Sequence, residues 1–506
     1  MNTRKYSHPN PCIRNSAVTL LVLCLALMAL STPAYAQPSA AEADFATVDD
    51  YLESQRQALD IPGMAVAIVQ GDQVAHLGSY GAADSDGRPV TPQTPFQIGS
   101  TTKSFTALAV MQLVEAGLLE LDAPVQTYLP WFRVADEAAS AQITIRHLLN
   151  QSSGLSTATG RDEFAVSDLS DQAIENSVRA LADVELTATP GATYQYCNTN
   201  FTIAGLVVQV VSGQSYESYM QAHIFDPLEM RHTFTAQEPA EQDGLATGYV
   251  TFLGIPVRRN TPFNRGGLPN GYIYSSAEDL AHYLIAQLNG GSYRDASVLS
   301  AEGMSAMHTS TVPAETSGES YALAWHVGTF AGTPVIYHSG DNANYAAFLL
   351  MAPEEDLGIA LLINMNGWKV NHAAQQLSEG VLSILLDKAP SPYKVIPEVL
   401  LAQGSANVPA LVALLWIGWT VFRFIRRSKR TPAPRRGFMW WTFVLILPAR
   451  LDLILLIVLL VGIPTLWQLP LNGFAQMVPD SFVMIILGAA GLAVWGILRT
   501  ILTLRK

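Results

Sequence analysis

The segment Pro95-Phe96-Gln97-Ile98-Gly99-Ser100-Thr101-Thr102-Lys103-Ser104-Phe105-Thr106 begins the pattern from which the rest of this chain can be interpreted. After it, apolar residues recur at helical spacing as far as Val114, and Gly117 is a natural helix end. The pattern predicts a helix whose first turn contains Ser100. Lys103 follows one turn later, on the same face of that helix.

The spacing Ser-x-x-Lys is the smallest unit that can activate a serine. A serine hydroxyl is a poor nucleophile at neutral pH, but a desolvated amine can lose its proton and act as its base. Backbone N–H groups at the helix start can also stabilise a developing oxyanion. The ordinary alternative is a helix cap followed by a solvated lysine. Ser391-Pro392-Tyr393-Lys394 has the same spacing where nothing would bury the lysine, so the pattern needs support from elsewhere.

The N-terminal residues 1–36 are typical of a secretory signal peptide. They combine a positively charged start, a short apolar run and the small-x-small site Ala34-Tyr35-Ala36, after which cleavage is expected. The alternative is a first transmembrane helix. Removal of the signal takes away Cys12 and Cys24 and leaves only Cys197, so no disulfide can form within the mature chain.

Charge divides the 506-residue chain into two unlike parts. Residues 37–402 contain 40 acidic and 15 basic residues, whereas residues 403–506 contain 2 acidic and 11 basic residues. The whole chain has a formal net charge of −13. A first part that is so acidic is a poor binder of nucleic acid.

The second part contains three apolar segments, at about 408–425, 439–467 and 482–502. Each is long enough to cross a hydrocarbon layer of about 30 Å. The first connection is rich in Lys and Arg, whereas residues 468–480 contain neither. By the positive-inside rule, the first connection and the C-terminus are cytoplasmic, and residues 37–402 lie outside the cytoplasm.

Two charged residues, Arg450 and Asp452, lie near the middle of the second apolar segment. Two positions apart, they point to roughly opposite faces of a helix and are not expected to pair with each other. They either line a polar track or bind groups on neighbouring helices.

The region before the membrane segments combines strands at both ends with helices between them. A helix at 45–59 precedes a predicted hairpin at 64–77, and a closing helix is expected at 372–386. The later strand patterns lie at Leu323–Gly328, Val335–His338, Tyr345–Met351 and Gly358–Asn364. We expect an α+β fold, an antiparallel sheet with its N- and C-terminal strands side by side, flanked by helices and an all-helical subdomain. The predicted organisation is a signal at 1–36, this domain at 37–388, a linker at 389–407 and a three-helix transmembrane domain at 408–506.

A second polar cluster, Tyr194-Gln195-Tyr196-Cys197-Asn198, precedes a predicted helix at 203–211. A phenol close to a lysine can share its proton, so Tyr196 can relay charge between Lys103 and a leaving group. Asn198 can bind a substrate amide. The alternative is a helix-capping Asn beside a packed Tyr.

A third cluster, His338-Ser339-Gly340-Asp341-Asn342-Ala343-Asn344, lies at the end of a predicted strand. Gly340 would let a substrate backbone lie close to that strand. The N–H of Asp341 is a candidate second donor to the oxyanion, with that of Ser100. The alternative for His338 is a hydrogen-bonded core or surface histidine.

These three clusters, in this order, resemble the motifs of the serine β-lactamase and penicillin-binding-protein superfamily, in particular its class C-like branch of peptidases and esterases. They appear here as Ser100-Thr101-Thr102-Lys103, Tyr196-Cys197-Asn198 and His338-Ser339-Gly340. Two supporting stretches, 143–155 and 271–280, also match, and the resemblance covers about residues 42–388. It implies a β-lactamase/transpeptidase-like fold and a cycle in which Ser100 attacks a carbonyl, Lys103 with Tyr196 takes its proton, and water clears the acyl-enzyme.

One departure from the family pattern concerns the substrate. Enzymes of this superfamily that bind a β-lactam or peptide carboxylate usually have lysine where this chain has His338. Because histidine is often neutral at neutral pH, carboxylate binding is weakened and strong β-lactamase activity is not expected. No metal or other cofactor is implied.

The layout as a whole resembles the membrane-anchored, prodrug-activating peptidases of bacterial pathways, of the colibactin-maturation type. That group has an Asn-bearing loop similar to Asn342 and Asn344, which we list as substrate-binding candidates. The resemblance implies a peptidase of the bacterial cytoplasmic membrane that acts on acylated or D-amino-acid-containing peptides. An esterase or weak β-lactamase with the same residues, and a catalytically inactive membrane sensor, are the alternatives.

Overall fold

The computed structural model describes residues 45–504, apart from 162–166, 310, 315–317, 371, 396, 429–445 and 470. The predicted signal peptide and most of the basic first connection lie outside the described residues. In chain order the strands are β1 Gly63–Gln70, β2 Gln73–Gly81, β3 Phe96–Gln97, β4 Tyr249–Phe252, β5 Ile255–Arg258, β6 Tyr274–Ser275, β7 Ser292–Tyr293, β8 Ala296–Ser297, β9 Val312–Pro313, β10 Ser320–Tyr321, β11 His326–Phe330, β12 Thr333–Asp341, β13 Ala346–Ala352, β14 Leu357–Ile363 and β15 Met365–Asn366.

Eight of these strands form one antiparallel sheet in the order β2-β1-β14-β13-β12-β11-β10-β9. The N-terminal strand β1 pairs with the late strand β14, from Met64 opposite Ile363 to Gln70 opposite Leu357. The predicted fold class and the side-by-side arrangement of terminal strands are therefore confirmed. The predicted strand at Leu323–Gly328 begins three residues later, at His326, because the backbone turns at Ala324, whose φ is +65°.

The helices before the three apolar C-terminal segments are α1 Phe45–Ala58, α2 Thr102–Glu115, α3 Val125–Tyr128, α4 Glu137–Ser140, α5 Ile145–Leu149, α6 Thr157–Arg161, α7 Ala173–Arg179, α8 Asn198–Ser212, α9 Tyr216–Met220, α10 Gln237–Gln242, α11 Leu268–Gly271, α12 Ala277–Leu288, α13 Ala301–His308 and α14 Ala373–Leu385. Both α12 and α14 pack on the sheet, against β14. All residues of β13 and β14 are buried, as expected for strands covered on both faces. The core between sheet and helices includes small residues such as Ala65 and Ala67, which allow close packing.

The C-terminal helices are α15 Pro397–Ser428, α16 Leu447–Ile457, α17 Ile463–Trp467, α18 Leu471–Met477 and α19 Pro479–Leu504, with a π-helical turn at Val458–Gly462. Among the described residues, three helical stretches are long and apolar enough to cross a membrane: Gln403–Arg426, Leu447–Trp467 and Pro479–Thr503. The structure differs from the predicted linker, since α15 already begins at Pro397. The helix that contains the first apolar span therefore also includes residues 397–407, which were predicted to form a linker.

Asp452 is held between the C-terminal helices. Its carboxylate accepts hydrogen bonds from Arg499 Nη2 at 2.5 Å and from Trp416 Nε1 at 2.8 Å. Arg450 is exposed, so the two charged residues of α16 do face different ways, as the helical spacing predicts. Arg499 is 4% exposed and Asp452 8%, which makes this pair an internal contact of the three-helix part.

Candidate active site

Ser100 lies in a 3₁₀ turn, Gly99–Thr101, that runs directly into α2. Gly99 has a φ of +54°, and a Cβ placed on it would lie 2.8 Å from the backbone nitrogen of Asp341. Glycine is therefore required here both for the backbone conformation and for the approach of the end of β12. Gly99 thus brings the first and third sequence clusters together.

Lys103 is completely buried one turn after Ser100. Its Nζ lies 2.8 Å from Ser100 Oγ and 2.7 Å from the carbonyl oxygen of Asn270. It also lies 5.0 Å from the centre of the Tyr196 ring and 5.8 Å from that of Phe201. Ser100 Oγ and Lys103 Nζ are therefore at the distance that proton transfer needs. Lys394, in the second Ser-x-x-Lys match, is exposed, as expected.

The carbonyl of Asn270 is a part of the site that sequence reasoning missed. It belongs to α11, which Thr106 of α2 holds through a 2.6 Å hydrogen bond to the carbonyl of Pro269. Tyr216 OH lies 2.6 Å from the same Thr106 hydroxyl, and a Cβ on Gly205 would overlap the Pro269 ring. A main-chain acceptor has no side-chain signature, so only the fold could reveal it.

Tyr196 is held in place from both sides by Gln151. The backbone N–H of Gln195 donates to the Gln151 carbonyl at 2.7 Å, and that of Cys197 donates to Gln151 Oε1 at 3.0 Å. Asn200 Nδ2 donates to the same Oε1 at 2.7 Å. Gln151 is fully buried with a φ of +60°. It lies in the stretch 143–155 that sequence analysis noted, but its positioning role was not predicted.

Asn198 is the first residue of α8 and not its cap, since the helix begins earlier than the predicted 203–211. Its Nδ2 donates to the carbonyl of Gly160 at 3.3 Å. Gly160 in turn packs against Cys197 and the backbone of Asn198 so closely that a Cβ would lie 2.5 Å from the Asn198 nitrogen. The role of Asn198 in binding a substrate amide remains a prediction.

The strand β12 brings His338, Gly340 and Asp341 to the side of the Ser100 turn. A Cβ on Gly340 would lie 2.0 Å from the carbonyl oxygen of Ile98. The close neighbour of Gly340 is thus the chain's own backbone; its predicted contact with a substrate backbone remains untested. Burial raises the pKa of the Asp341 carboxyl, whose Oδ1 accepts a hydrogen bond from Asn366 Nδ2 at 3.1 Å.

His338 is buried and held on both ring nitrogens. Nδ1 lies 2.6 Å from the carbonyl oxygen of Ser339, and Nε2 lies 3.0 Å from Tyr321 OH. A carbonyl can only accept, so Nδ1 has the hydrogen and Nε2 accepts from the phenol. Burial lowers the pKa of His338 well below its ordinary value. His338 is therefore neutral, in agreement with the expected weakness of carboxylate binding.

Asn342 and Asn344 use their amides within the chain. Asn342 Nδ2 donates to the carbonyl of Gly271 at 3.0 Å. Asn344 Nδ2 donates to the carbonyl of Arg259 at 2.8 Å, and its Oδ1 accepts from Thr261 Oγ1 at 3.1 Å. Contact of Asn344 with a substrate would require these bonds to be exchanged, so its proposed role stays a prediction.

Comparisons with known proteins agree with this geometry. The β-lactamase family model matches residues 48–380. Protein flp of Staphylococcus aureus strain MW2 is 32% identical over 339 residues, which make up 66% of this chain and 66% of that protein. This chain therefore spans just under two thirds of the length of that relative.

Two solved structures show the same fold. The octameric penicillin-binding protein homologue from Pyrococcus abyssi has a TM-score of 0.62 at 30% identity, over 71% of this chain and 80% of that one. The D-amino acid amidase from Ochrobactrum anthropi SV3 has a TM-score of 0.59 at 21% identity, over 68% of this chain and 98% of that one, a likeness of fold alone. With the family model spanning more than half of its length, this chain belongs to the β-lactamase family of serine hydrolases.

Proposed function

We propose that this chain is a membrane-anchored serine hydrolase that cleaves amide bonds through an acyl-enzyme on Ser100, with its catalytic domain outside the cytoplasm. The observation on which the proposal depends is the completely buried Lys103 amine, 2.8 Å from Ser100 Oγ. Burial disfavours the charged form of an amine, and the proposal assigns the neutral, basic form to Lys103.

In the proposed cycle, Ser100 Oγ attacks the amide carbonyl and its proton passes to the Lys103 amine. The carbonyl oxygen becomes an oxyanion, which the N–H groups of Ser100 and Asp341 stabilise. The C–N bond then breaks, the proton is returned through Lys103 and Tyr196 to the leaving amine, and an ester to Ser100 remains. Water attacks that ester, releases the carboxylic acid and restores the serine.

The proposed oxyanion site is supported by the two glycines that bring its donors together. Gly99 and Gly340 remove the side chains that would separate the Ser100 turn from the end of β12. Preorganised donors of this kind contribute about 3 kcal/mol each to stabilisation of a transition state.

For the substrate, we propose acylated or D-amino-acid-containing peptides that do not depend on a carboxylate for binding. Support comes from the neutral, fully hydrogen-bonded His338, which offers no cation to a carboxylate. The resemblance to prodrug-activating peptidases and the shared fold with a D-amino acid amidase favour the same class. A short-chain esterase and a weak β-lactamase remain the second candidate, because they need the same residues.

The proposal is tested by intact-protein mass spectrometry after exposure to a fluorophosphonate or a penicillin. We expect a single adduct on the full-length chain that is absent from Ser100→Ala. Turnover of an acyl-D-amino-acid amide and of a short-chain ester then separates the candidates. Cleavage of the ester alone contradicts the peptidase assignment, and absence of any adduct supports the inactive sensor.

A further inference from the structure

A two-stranded hairpin, β4–β5, projects from the catalytic domain and has an exposed apolar tip. It was not predicted from the sequence. Leu253 at the turn is 75% exposed, and Ile255 and Val257 on β5 are 61% and 39% exposed. Because they are two positions apart in a strand, Ile255 and Val257 lie on the same face. We call Leu253, Ile255 and Val257 the hairpin tip.

The Leu253 side chain is not part of the described core, and leucine is a poor residue for the backbone conformation of this turn. Its φ is +50° and that of Gly254 is +83°, so that both central residues of the turn are left-handed. Such turns favour Asn-Gly or Asp-Gly, and a leucine in this conformation is strained. The tip is also open, since a Cβ on Gly254 would meet no atom of the described residues within 4 Å. An exposed leucine in a strained conformation indicates that this point of the surface binds an apolar partner.

The position of the tip is fixed by hydrogen bonds to the start of the third membrane helix. The backbone N–H of Leu253 donates to Asp480 Oδ1 at 2.9 Å, and Trp368 Nε1 donates to Asp480 Oδ2 at 3.1 Å. Asp480 is the second residue of α19, whose apolar span begins at Pro479. Leu253 is therefore at the level where a bilayer's hydrocarbon layer would begin.

The residues around the tip are those that favour a membrane–water interface. Trp368 is adjacent, and Lys369 Nζ lies 3.5 Å from the carbonyl of Gly254 and 2.5 Å from Asp60. Arg259, at the base of the hairpin, donates to the carbonyl of Ala475 in α18 at 2.7 Å. Aromatic and basic side chains bordering an apolar point are typical of segments that lie in the interfacial layer.

We propose that the hairpin tip inserts into the interfacial layer of the membrane that the three C-terminal helices cross, with lipid as its partner. This inference rests on the membrane anchoring proposed above. Lipid is favoured over a protein partner because the tip is hydrogen-bonded to the first turn of a membrane span. The catalytic domain then contacts the membrane at a second point besides its covalent connection, which fixes its orientation over the surface.

The test uses single cysteines labelled with an environment-sensitive fluorophore in the full-length protein, with Cys12 and Cys24 changed to Ser. Cys197 is buried, so the fluorophore reacts only with the introduced cysteine. Leu253→Cys is compared with Leu118→Cys, an equally apolar site 57% exposed at the far end of α2, and with Leu487→Cys in α19. Each is placed in lipid nanodiscs with and without spin-labelled lipid. Fluorophosphonate labelling of Ser100 reports whether each variant is folded.

We expect spin-labelled lipid to quench the label at position 253 by roughly twofold or more, as at position 487, and to leave position 118 unchanged. Quenching at 487 with none at 253 overturns the hairpin proposal and leaves the anchoring intact. No quenching at 487 overturns the anchoring, and the hairpin proposal with it.

A second measurement separates a lipid contact from a role in the turn. Asn is better suited than Leu to the left-handed position, so Leu253→Asn keeps the hairpin and removes its apolar tip. With the label on Ile255→Cys, the added Leu253→Asn change should reduce quenching by about half. Unchanged quenching would show that Leu253 makes no lipid contact and would contradict the proposal.

Discussion

The main-chain carbonyl of Asn270 accepts a hydrogen bond from Lys103 Nζ at 2.7 Å, which places a neutral acceptor beside the buried amine. A neutral carbonyl orients the lysine side chain. A carboxylate in the same place would stabilise the charged ammonium form and raise the pKa of the lysine. The proton exchange that we propose between Lys103 and Ser100 is compatible with this acceptor. This arrangement is the physical basis of the first prediction.

Lys103→Met should slow acylation of Ser100 by about two to four orders of magnitude, because the general base is lost while the apolar surroundings accept the side chain. The rate of fluorophosphonate labelling measures the effect. Lys394→Met, in the exposed Ser-x-x-Lys match, is the control and should label at the normal rate. Equal rates in both variants would refute the assigned base.

Gly340→Ala should abolish labelling, because the new methyl group would lie 2.0 Å from the Ile98 carbonyl and force β12 away from the Ser100 turn. Gly328→Ala is the matched control on the neighbouring strand β11. There the nearest atom is a flexible Glu319 carbon at 3.3 Å. Labelling kinetics and circular dichroism of both variants make the comparison. A fully active Gly340→Ala would disprove the close approach.

Gln151→Met should reduce kcat by roughly tenfold or more, since two hydrogen bonds that hold the Tyr196 segment are lost while side-chain volume is kept. KM should change less, because the effect is on a proton relay. Gln142→Met, at an exposed position, is the control. Unchanged kcat together with lowered thermal stability would show that Gln151 has a structural role only.

Acid sensitivity should depend on His326, whose pKa burial lowers to about 4. The unfolded chain binds a proton at its ordinary pKa of about 6.5. At intermediate pH the unfolded state therefore holds more protons, and stability falls as the pH decreases. Between about pH 7 and pH 5 this amounts to about 2 kcal/mol for the one histidine.

His326→Phe should therefore lose less stability on acidification than the unchanged chain, measured as the difference in melting temperature between the two pH values. Phe preserves the stacking on Tyr337, at 5.1 Å between ring centres. Burial raises the pKa of Asp279 to about 6, so its contribution to stability increases on acidification. Asp279 is present in both proteins, and its contribution therefore cancels from the comparison. An equal acid shift in both would contradict the assignment.

Much of the fold was predictable because its strands and helices have clear periodicity. The pairing of β1 with β14 followed from strand patterns at both ends, and the helix after Ser100 followed from apolar spacing. The hairpin β4–β5 was missed because its turn is Leu253-Gly254, which lacks the usual Asn-Gly signal. Pro256 also lies within β5, and a proline argues against a strand in a sequence.

The proximity of the candidate side chains was predictable from the sequence, and their catalytic roles remain predictions. Ser100 and Lys103 are found at the predicted contact distance, and Tyr196 lies with its ring beside the amine. The acceptor from Asn270 and the support from Gln151 could not be predicted, because both depend on which distant segments the fold brings together. For the same reason, the internal bonds of Asn344 could not be inferred from its motif.

The shared carboxylate of Asp480 has a practical consequence for anyone who works with part of this chain. A fragment that stopped before α15 would strip partners from the Trp368 indole, the Leu253 amide and the Arg161 and Arg259 guanidinium groups, which bond to Asp480, Trp467 and Ala475. It would also leave the apolar Leu253 side chain exposed to water. Such a truncated chain would differ from its parent in solubility and in the contacts of these four residues, so substrate preferences should be established on the chain that keeps its C-terminal helices.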